Sequence, residues 1–247
     1  MIGKICGGIM KTKRIKSLKD ASFKEILAFS LLPFGLLTIS TTIGTAYNIF
    51  LTDVIKLAPA AVGIVLSGTK VWDAINDPMM GFFVDKTRTK YGKCRPYLIW
   101  AVIPAVLATA MLFAPINFGQ TGNTVYCFIA YIIFYTAYTA IDIPYQGLTP
   151  LVFPENDKRV KAISFSNILG SIGTIIPQVL FFVFVGALGG GNDKQGFFLT
   201  ALMLAMLAGA FIAASFFGIK EKVYIPPKRT PFFKGLKAVF KDKKWLF

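Results

Sequence analysis

The sequence predicts an all-α integral membrane protein with six transmembrane helices, and three observations carry that prediction. Of 247 residues, 55% are hydrophobic and only 16% charged, which is more apolar surface than one soluble core can bury. Charge-free runs longer than the roughly 20 residues needed to cross a bilayer recur along the chain. The basic residues, which set a formal net charge of +15, gather in a few segments between those runs. That is how a topology signal is distributed; a nucleic-acid surface would spread them over one face, so no nucleic-acid partner is expected. A soluble helical bundle is the alternative, but its outer helices would keep a polar face that these runs lack.

The helices follow in order. Residues 26–52 form a run of 27 without a charge, enough for helix one with room for tilt. Helix two runs from about 60 to 84 and is interrupted by Lys70, Asp73 and Asp77. Residues 96–141 are again charge-free but too long for one crossing, and the Gly- and Asn-rich stretch 117–123 divides them into helices three and four. Helix five spans about 162–188 and helix six 196–218, separated by Gly189-Gly190-Gly191-Asn192. The chain therefore divides into a basic N-terminal tail (1–25), a six-helix bundle (26–219) and a basic segment (220–247). On one side of the bundle the tails and loops hold 24 Lys and Arg, whereas the loops on the other side hold Lys56 and Lys194 only. By the positive-inside rule both termini are cytoplasmic, in a cell (plasma or inner) membrane. No small-residue cleavage site follows the first apolar run, so the N-terminus reads as a tail and not as a cleaved signal.

Composition also narrows the chemistry. Histidine is absent, which removes imidazole bases and the commonest metal ligand. Cys6, Cys94 and Cys127 are scattered, odd in number and without CxxC spacing, implying neither a zinc site nor a disulfide framework. The informative residues are Asp73 and Asp77, four apart and hence on one helical face, inside a spanning segment. A carboxylate at membrane depth costs several kcal/mol unless compensated, so two of them one turn apart suggest a cation or proton held between them. Hard oxygen ligands from consecutive turns suit Na⁺, Li⁺ or a shared proton. The competing reading pairs Lys70 with Asp73, one turn away, as a buried ion pair that fixes helix packing.

The block Trp72-Asp-Ala-Ile-Asn-Asp-Pro-Met-Met-Gly81, followed by Asp85-Lys-Thr-Arg-Thr-Lys-Tyr-Gly-Lys-Cys-Arg-Pro96, resembles the glycoside–pentoside–hexuronide cation symporters. These form the melibiose permease-like family of the major facilitator superfamily. A second block in helix four, Tyr138-Thr-Ala-Ile-Asp-Ile-Pro-Tyr145, is similar to the same family. Such transporters have two six-helix bundles; the resemblance places this chain as the N-terminal half and its linker, ending where a seventh helix would start. What it implies is sugar transport by cation symport, not enzymatic catalysis, with no cofactor beyond a coupling Na⁺ or H⁺. The implied partners are a sugar or glycoside, membrane lipid and a second six-helix half.

The resemblance further implies a cation site at Asp73, Asn76, Asp77 and Thr139, with Lys70 tuning its charge. It implies that Asp142 accepts hydrogen bonds from sugar hydroxyls and that Tyr138 offers a face for stacking. Pro144, two residues on, lacks an amide proton and allows a local break in the helix; without a ligand, Asp142 would be a packing residue bonded to a neighbouring helix. Gln146 and Asn167 stand where the family carries a tryptophan and an arginine and complete the substrate-binding candidates. The family's acidic and basic positions in helix one fall on Leu37 and Leu36, so two charge-assisted bonds to the sugar are missing.

In the loop after helix two, the resemblance implies a cytoplasmic gate at Gly81, Asp85, Arg88 and Arg95. There Gly81 would permit close helix contact, and Asp85 would pair with a basic residue. Read plainly, the same loop is the orientation signal. Residues 231–240 space aromatics and lysines as an amphipathic helix for the inner leaflet would. Two other functional readings stay open: a half-transporter inactive alone, and, on the paired aspartates, an intramembrane aspartyl protease, which would need its carboxylates on different helices.

Overall fold

The computed structural model describes residues 23–223. The N-terminal tail as far as residue 22, the basic segment from 224 onward and the amphipathic stretch 231–240 lie outside the described residues. Within 23–223, α1 (Phe23–Ile49) continues through a π-helical turn (Phe50–Val54), and α2 (Pro59–Lys86) follows. Next come α3 (Tyr97–Trp100) with α4 (Val102–Leu112), α5 (Gly119–Val152), α6 (Asn156–Gly189) and α7 (Asp193–Gly218). The rods α3 and α4 are one transmembrane element. Pro104 has no amide to give the Trp100 carbonyl, yet the amides of Ala101 and Ala105 bond to Tyr97 and Ala101 across the junction, both at 3.0 Å. Six rods therefore stand where six spans were predicted.

Several helix ends differ from the sequence expectation. The predicted turn at 117–123 is shorter, because α5 begins at Gly119 and Asn123 Oδ1 accepts the Phe118 amide at 2.8 Å. At its other end α5 runs on to Val152 without interruption by Pro144 or Pro150, so the expected break at Pro144 is absent: the surrounding helix tolerates one missing amide. The cluster Lys158, Arg159 and Lys161, which charge patterning places in a loop, forms the first turns of α6. Charged residues at a helix mouth extend the helix beyond its apolar span, and their charge alone does not mark that boundary.

Four rods are apolar and long enough to span on those grounds alone: Phe23–Val54, Gly119–Val152, Asn156–Gly189 and Asp193–Gly218. The helix α2 has the length but carries its charges in mid-helix, and Tyr97–Leu112 is shorter. In packing, α1 sits between α6 and α7, α2 lies on α5, and the α3–α4 rod joins the two groups through α5 and α7. At one end of the bundle Tyr47, Phe50, Phe113, Phe181 and Phe197 form a buried aromatic plug, with ring centroids 5.2 Å apart from Phe50 to Phe113 and 6.5 Å apart from Phe113 to Phe197. The π turn that ends α1 places both Phe50 and Leu51 fully inside this core.

Candidate functional site

The helices α2 and α5 run side by side in a fixed register. Lys70 Nζ donates to Tyr135 Oη at 2.9 Å, 65 positions along, and Trp72 Nε1 donates to Thr136 Oγ1 at 3.0 Å, 64 positions along. Both offsets have the same sign and nearly the same size, so the helices are parallel and Asp73 stands level with Tyr138, Asp77 with Asp142. The two acidic blocks, far apart in sequence, meet at one depth. Electrostatics agree with the register: Asp142 lies within reach of Asp77 and Asp73, and Tyr138 of Asp142 and Asp73.

Around these carboxylates the polar groups have distinct surroundings. Asn76 is 4% exposed and its Nδ2 has no hydrogen-bond partner among the described residues; an unpaired buried N–H donor is costly and calls for an acceptor. Thr139 is 3% exposed on the opposing helix. Asp73 and Asp77 are half-buried. Among the described residues no cluster of three or more His, Cys, Asp or Glu side chains is assembled. Electrostatic contact links Asp73 to Asp77 along α2, and both to Asp142 on α5.

Lys70 does not pair with Asp73. Its ammonium bonds the Tyr135 hydroxyl and stands 4.9 Å from the centroid of that ring, and no ion pair joins Lys70 to Asp73 among the described residues. The ion-pair reading of Lys70 is thus corrected: the register puts a phenol within reach, and its lone pairs and ring face accept the cation without neutralising a carboxylate.

Of the substrate candidates, Asp142 accepts from Gln146 Nε2 at 2.8 Å, one turn away. The Tyr138 ring stacks on Phe134 at 5.7 Å, and its hydroxyl lies against Ser40 of α1. Asn167 stands apart, because α6 packs on α1 and α7, away from α2 and α5. It belongs instead to an exposed polar stripe on α6 made by Ser164, Asn167, Ser171 and Gln178. A second such stripe, Ser40, Gly44 and Asn48, runs along α1 and borders Tyr138. Sequence reading missed it, although polar or small residues at i, i+4 and i+8 in a charge-free run are a legible signal. Leu36 is buried at 2% while Leu37 is 38% exposed.

In the loop after α2 the expected pairing of Asp85 with a basic residue is made, and a lysine makes it. Asp85 pairs with Lys93 at 2.9 Å, neither with Arg88, which bonds the Thr87 carbonyl, nor with Arg95. Arg95 Nη2 donates to the Phe216 carbonyl at 2.7 Å, and its guanidinium lies 4.6 Å from that ring's centroid. A Cβ on Gly81 would meet nothing within 4 Å, so Gly81 makes no close helix contact here. The residue that organises this loop is one the sequence did not flag, Glu221. Its Oε2 accepts the Lys93 amide at 3.0 Å and its Oε1 the amides of Cys94 and Arg95 at 2.8 and 3.0 Å. Burial, with the Glu221 carboxylate beside it, pushes the Cys94 thiol up to about 12.

Comparison with known proteins bears on the family. The inner membrane symporter YicJ of Escherichia coli is 28% identical over 79% of this chain and 43% of its own length. The isoprimeverose transporter of Lactiplantibacillus pentosus is 27% identical over 91% of this chain and 48% of its own. YagG of E. coli, whose name refers to glycoside/cation symport, is 27% identical over 79% and 43%. The chain thus spans about half the length of the curated relatives it matches. The family model described as MFS/sugar transport protein matches residues 28–247, and the chain belongs to that family, a family of multi-pass membrane transporters.

Proposed function

We propose that the chain acts as the N-terminal six-helix half of a symporter that moves a sugar or glycoside with Na⁺ or H⁺ by alternating access. One observation carries the reading: the α2–α5 register sets Asp73 and Asp77 level with Tyr138 and Asp142, beside the unpartnered amide of Asn76. Asp73, Asn76, Asp77 and Thr139 hold the cation, and Lys70, parked on Tyr135, tunes the local charge. Asp142 and Tyr138, with Gln146 beside Asp142, receive the sugar. Ion and sugar share one layer of the bundle, so binding of one alters the field felt by the other, which is the physical basis of coupling. Belonging to a transporter family sets aside the protease reading.

The polar stripes of α1 and α6 and the acidic layer are open to the outside of this bundle. In a bilayer such a face is costly unless covered, and a second six-helix half is its occupant. Without that half the chain has no coupled transport of its own. The carboxylate layer is tested through Trp72, which abuts Asp73. Addition of Na⁺ or Li⁺, or a pH step, to the purified chain is expected to shift Trp72 fluorescence, with Trp100 and Trp245 replaced by Phe, and Asp77→Asn to abolish the shift. A shift that survives Asp77→Asn sinks the cation site. In vesicles the chain is expected to accumulate sugar only when co-expressed with a C-terminal half; accumulation by the chain alone refutes the half-transporter reading. Both termini face the cytoplasm in this reading: with native cysteines removed, an impermeant thiol reagent labels Asp193→Cys in intact cells and Lys90→Cys only in inverted vesicles. The reverse pattern overturns the orientation.

A further inference from the structure

We propose that Glu221 is a latch that holds the loop between α2 and α3, residues 87–96, against the end of α7, and so positions the Asp85–Lys93 pair from across the bundle. The carboxylate accepts three consecutive amides, those of Lys93, Cys94 and Arg95. Charge-assisted bonds of this kind are among the stronger ones available to a loop, which has no ladder of its own to satisfy its amides. The loop is shaped to receive it. Gly92 has φ +117°, a conformation that L side chains rarely adopt, and a Cβ there would collide with the Glu221 carboxylate. From the other direction Arg95 reaches back to the carbonyl of Phe216 near the end of α7. The loop and α7 thus grip each other reciprocally, acid to amides and guanidinium to carbonyl.

The latch is itself anchored. The amides of Lys222 and Val223 donate to the Leu151 carbonyl at the end of α5, at 2.8 and 3.2 Å. Lys222 Nζ pairs with Glu25 at the start of α1 at 2.6 Å, both side chains largely buried. Residues 221–223 therefore tie together the ends of α1, α5 and α7 and the loop that follows α2. A loop held this way does not move alone: to swing, it must break three amide bonds at once or carry α7 with it. Because the groups that Glu221 recognises are backbone amides, its own grip needs no particular loop side chain, only the absence of one at Gly92.

Cys94 supplies the readout, since it is fully buried beneath the latch with its amide bonded to Glu221. The full chain, carrying Cys6→Ser and Cys127→Ser, is reconstituted in vesicles and treated with N-ethylmaleimide, which crosses membranes. The parent is expected to react slowly, and Glu221→Ala to raise the rate by roughly tenfold or more, as expected for local opening after loss of charge-assisted bonds. Gly92→Ala, which leaves the carboxylate in place, should raise it as well, separating opening from the loss of a nearby negative charge. An unchanged rate in Glu221→Ala overturns the proposal. So does an equal rise at Cys127, measured with Cys6→Ser and Cys94→Ser, because Glu221 would then stabilise the whole bundle and latch nothing. The readout needs no transport, so failure of the symporter reading leaves it intact.

Discussion

The contact between α1 and α6 and the contact between α2 and α5 are built on opposite principles. Along α1–α6 the backbones touch. A Cβ on Gly173 would lie 2.5 Å from the Phe34 carbonyl oxygen and 3.0 Å from Thr38 Oγ1, and one on Gly170 would lie 2.9 Å from Leu37 Cδ1. Uncharged polar groups bridge the seam: Thr38 Oγ1 is 3.1 Å from the Gly173 carbonyl, and the fully buried Ser30 and Ser166 hydroxyls are 3.0 Å apart. Along α2–α5, by contrast, long side chains meet, with Lys70 on Tyr135 and Trp72 on Thr136. Two glycines of α2 leave room, since a Cβ on Gly63 or Gly81 would have nothing within 4 Å, and at Gly68 a Cβ would lie 2.6 Å from the Phe128 ring, a close contact made by a side chain of α5 and not by its backbone. In lipid, helices gain little from hydrophobicity and are held by packing and hydrogen bonds. The difference is that one pair is joined backbone to backbone through glycines, while the other is joined by long side chains, several of them polar.

That contrast can be broken most decisively at Gly173. Gly173→Ala forces its Cβ against a backbone carbonyl that cannot step aside, and overpacking of this kind costs about 1–3 kcal/mol. Thermal unfolding followed by size-exclusion chromatography is expected to show a clear loss, and an unchanged midpoint would mean that α1 and α6 separate freely. Next in size is the cation response. Loss of even an outer-shell partner of a bound ion costs roughly 10–100-fold in affinity, so Asp73→Asn, which removes a proposed ligand, is expected to shift the Na⁺ dependence of Trp72 fluorescence by at least that factor with little change in thermal stability. Loss of stability without loss of ion response would make α2–α5 a structural contact like α1–α6.

Smaller effects sharpen the comparison. A double-mutant cycle of Ser30→Ala and Ser166→Ala is expected to return a coupling of about 0.6 kcal/mol, the size of interhelical hydrogen bonds within membranes. A coupling near zero would assign the α1–α6 seam to packing alone. Smallest of all is Gly81→Ala, expected to stay within about 0.5 kcal/mol of the parent in thermal unfolding because its Cβ enters open space. A large loss there would restore the close-contact role that the sequence suggested for Gly81.

The sequence by itself determined the fold class, the six spans and the family, because hydropathy and charge-free length are local properties of each segment. It also determined that Asp73 and Asp77 share a face, since helical periodicity alone decides that. The tertiary structure decided what those residues meet. Lys70 pairs with Tyr135 in place of Asp73, and Asp77 stands level with Asp142, because the parallel register of α2 on α5 sets both. Asn167 lies on α6 away from that pair for the same kind of reason: its helix is held to α1 and α7 by glycines whose close approaches cannot be read until the partner helix is known. Asp85 took Lys93 over two nearby arginines, and Glu221 closed on three amides of a loop more than 120 residues away in sequence. Backbone amides carry no sequence signature, so a carboxylate that recognises them becomes visible only once the chain has folded around it.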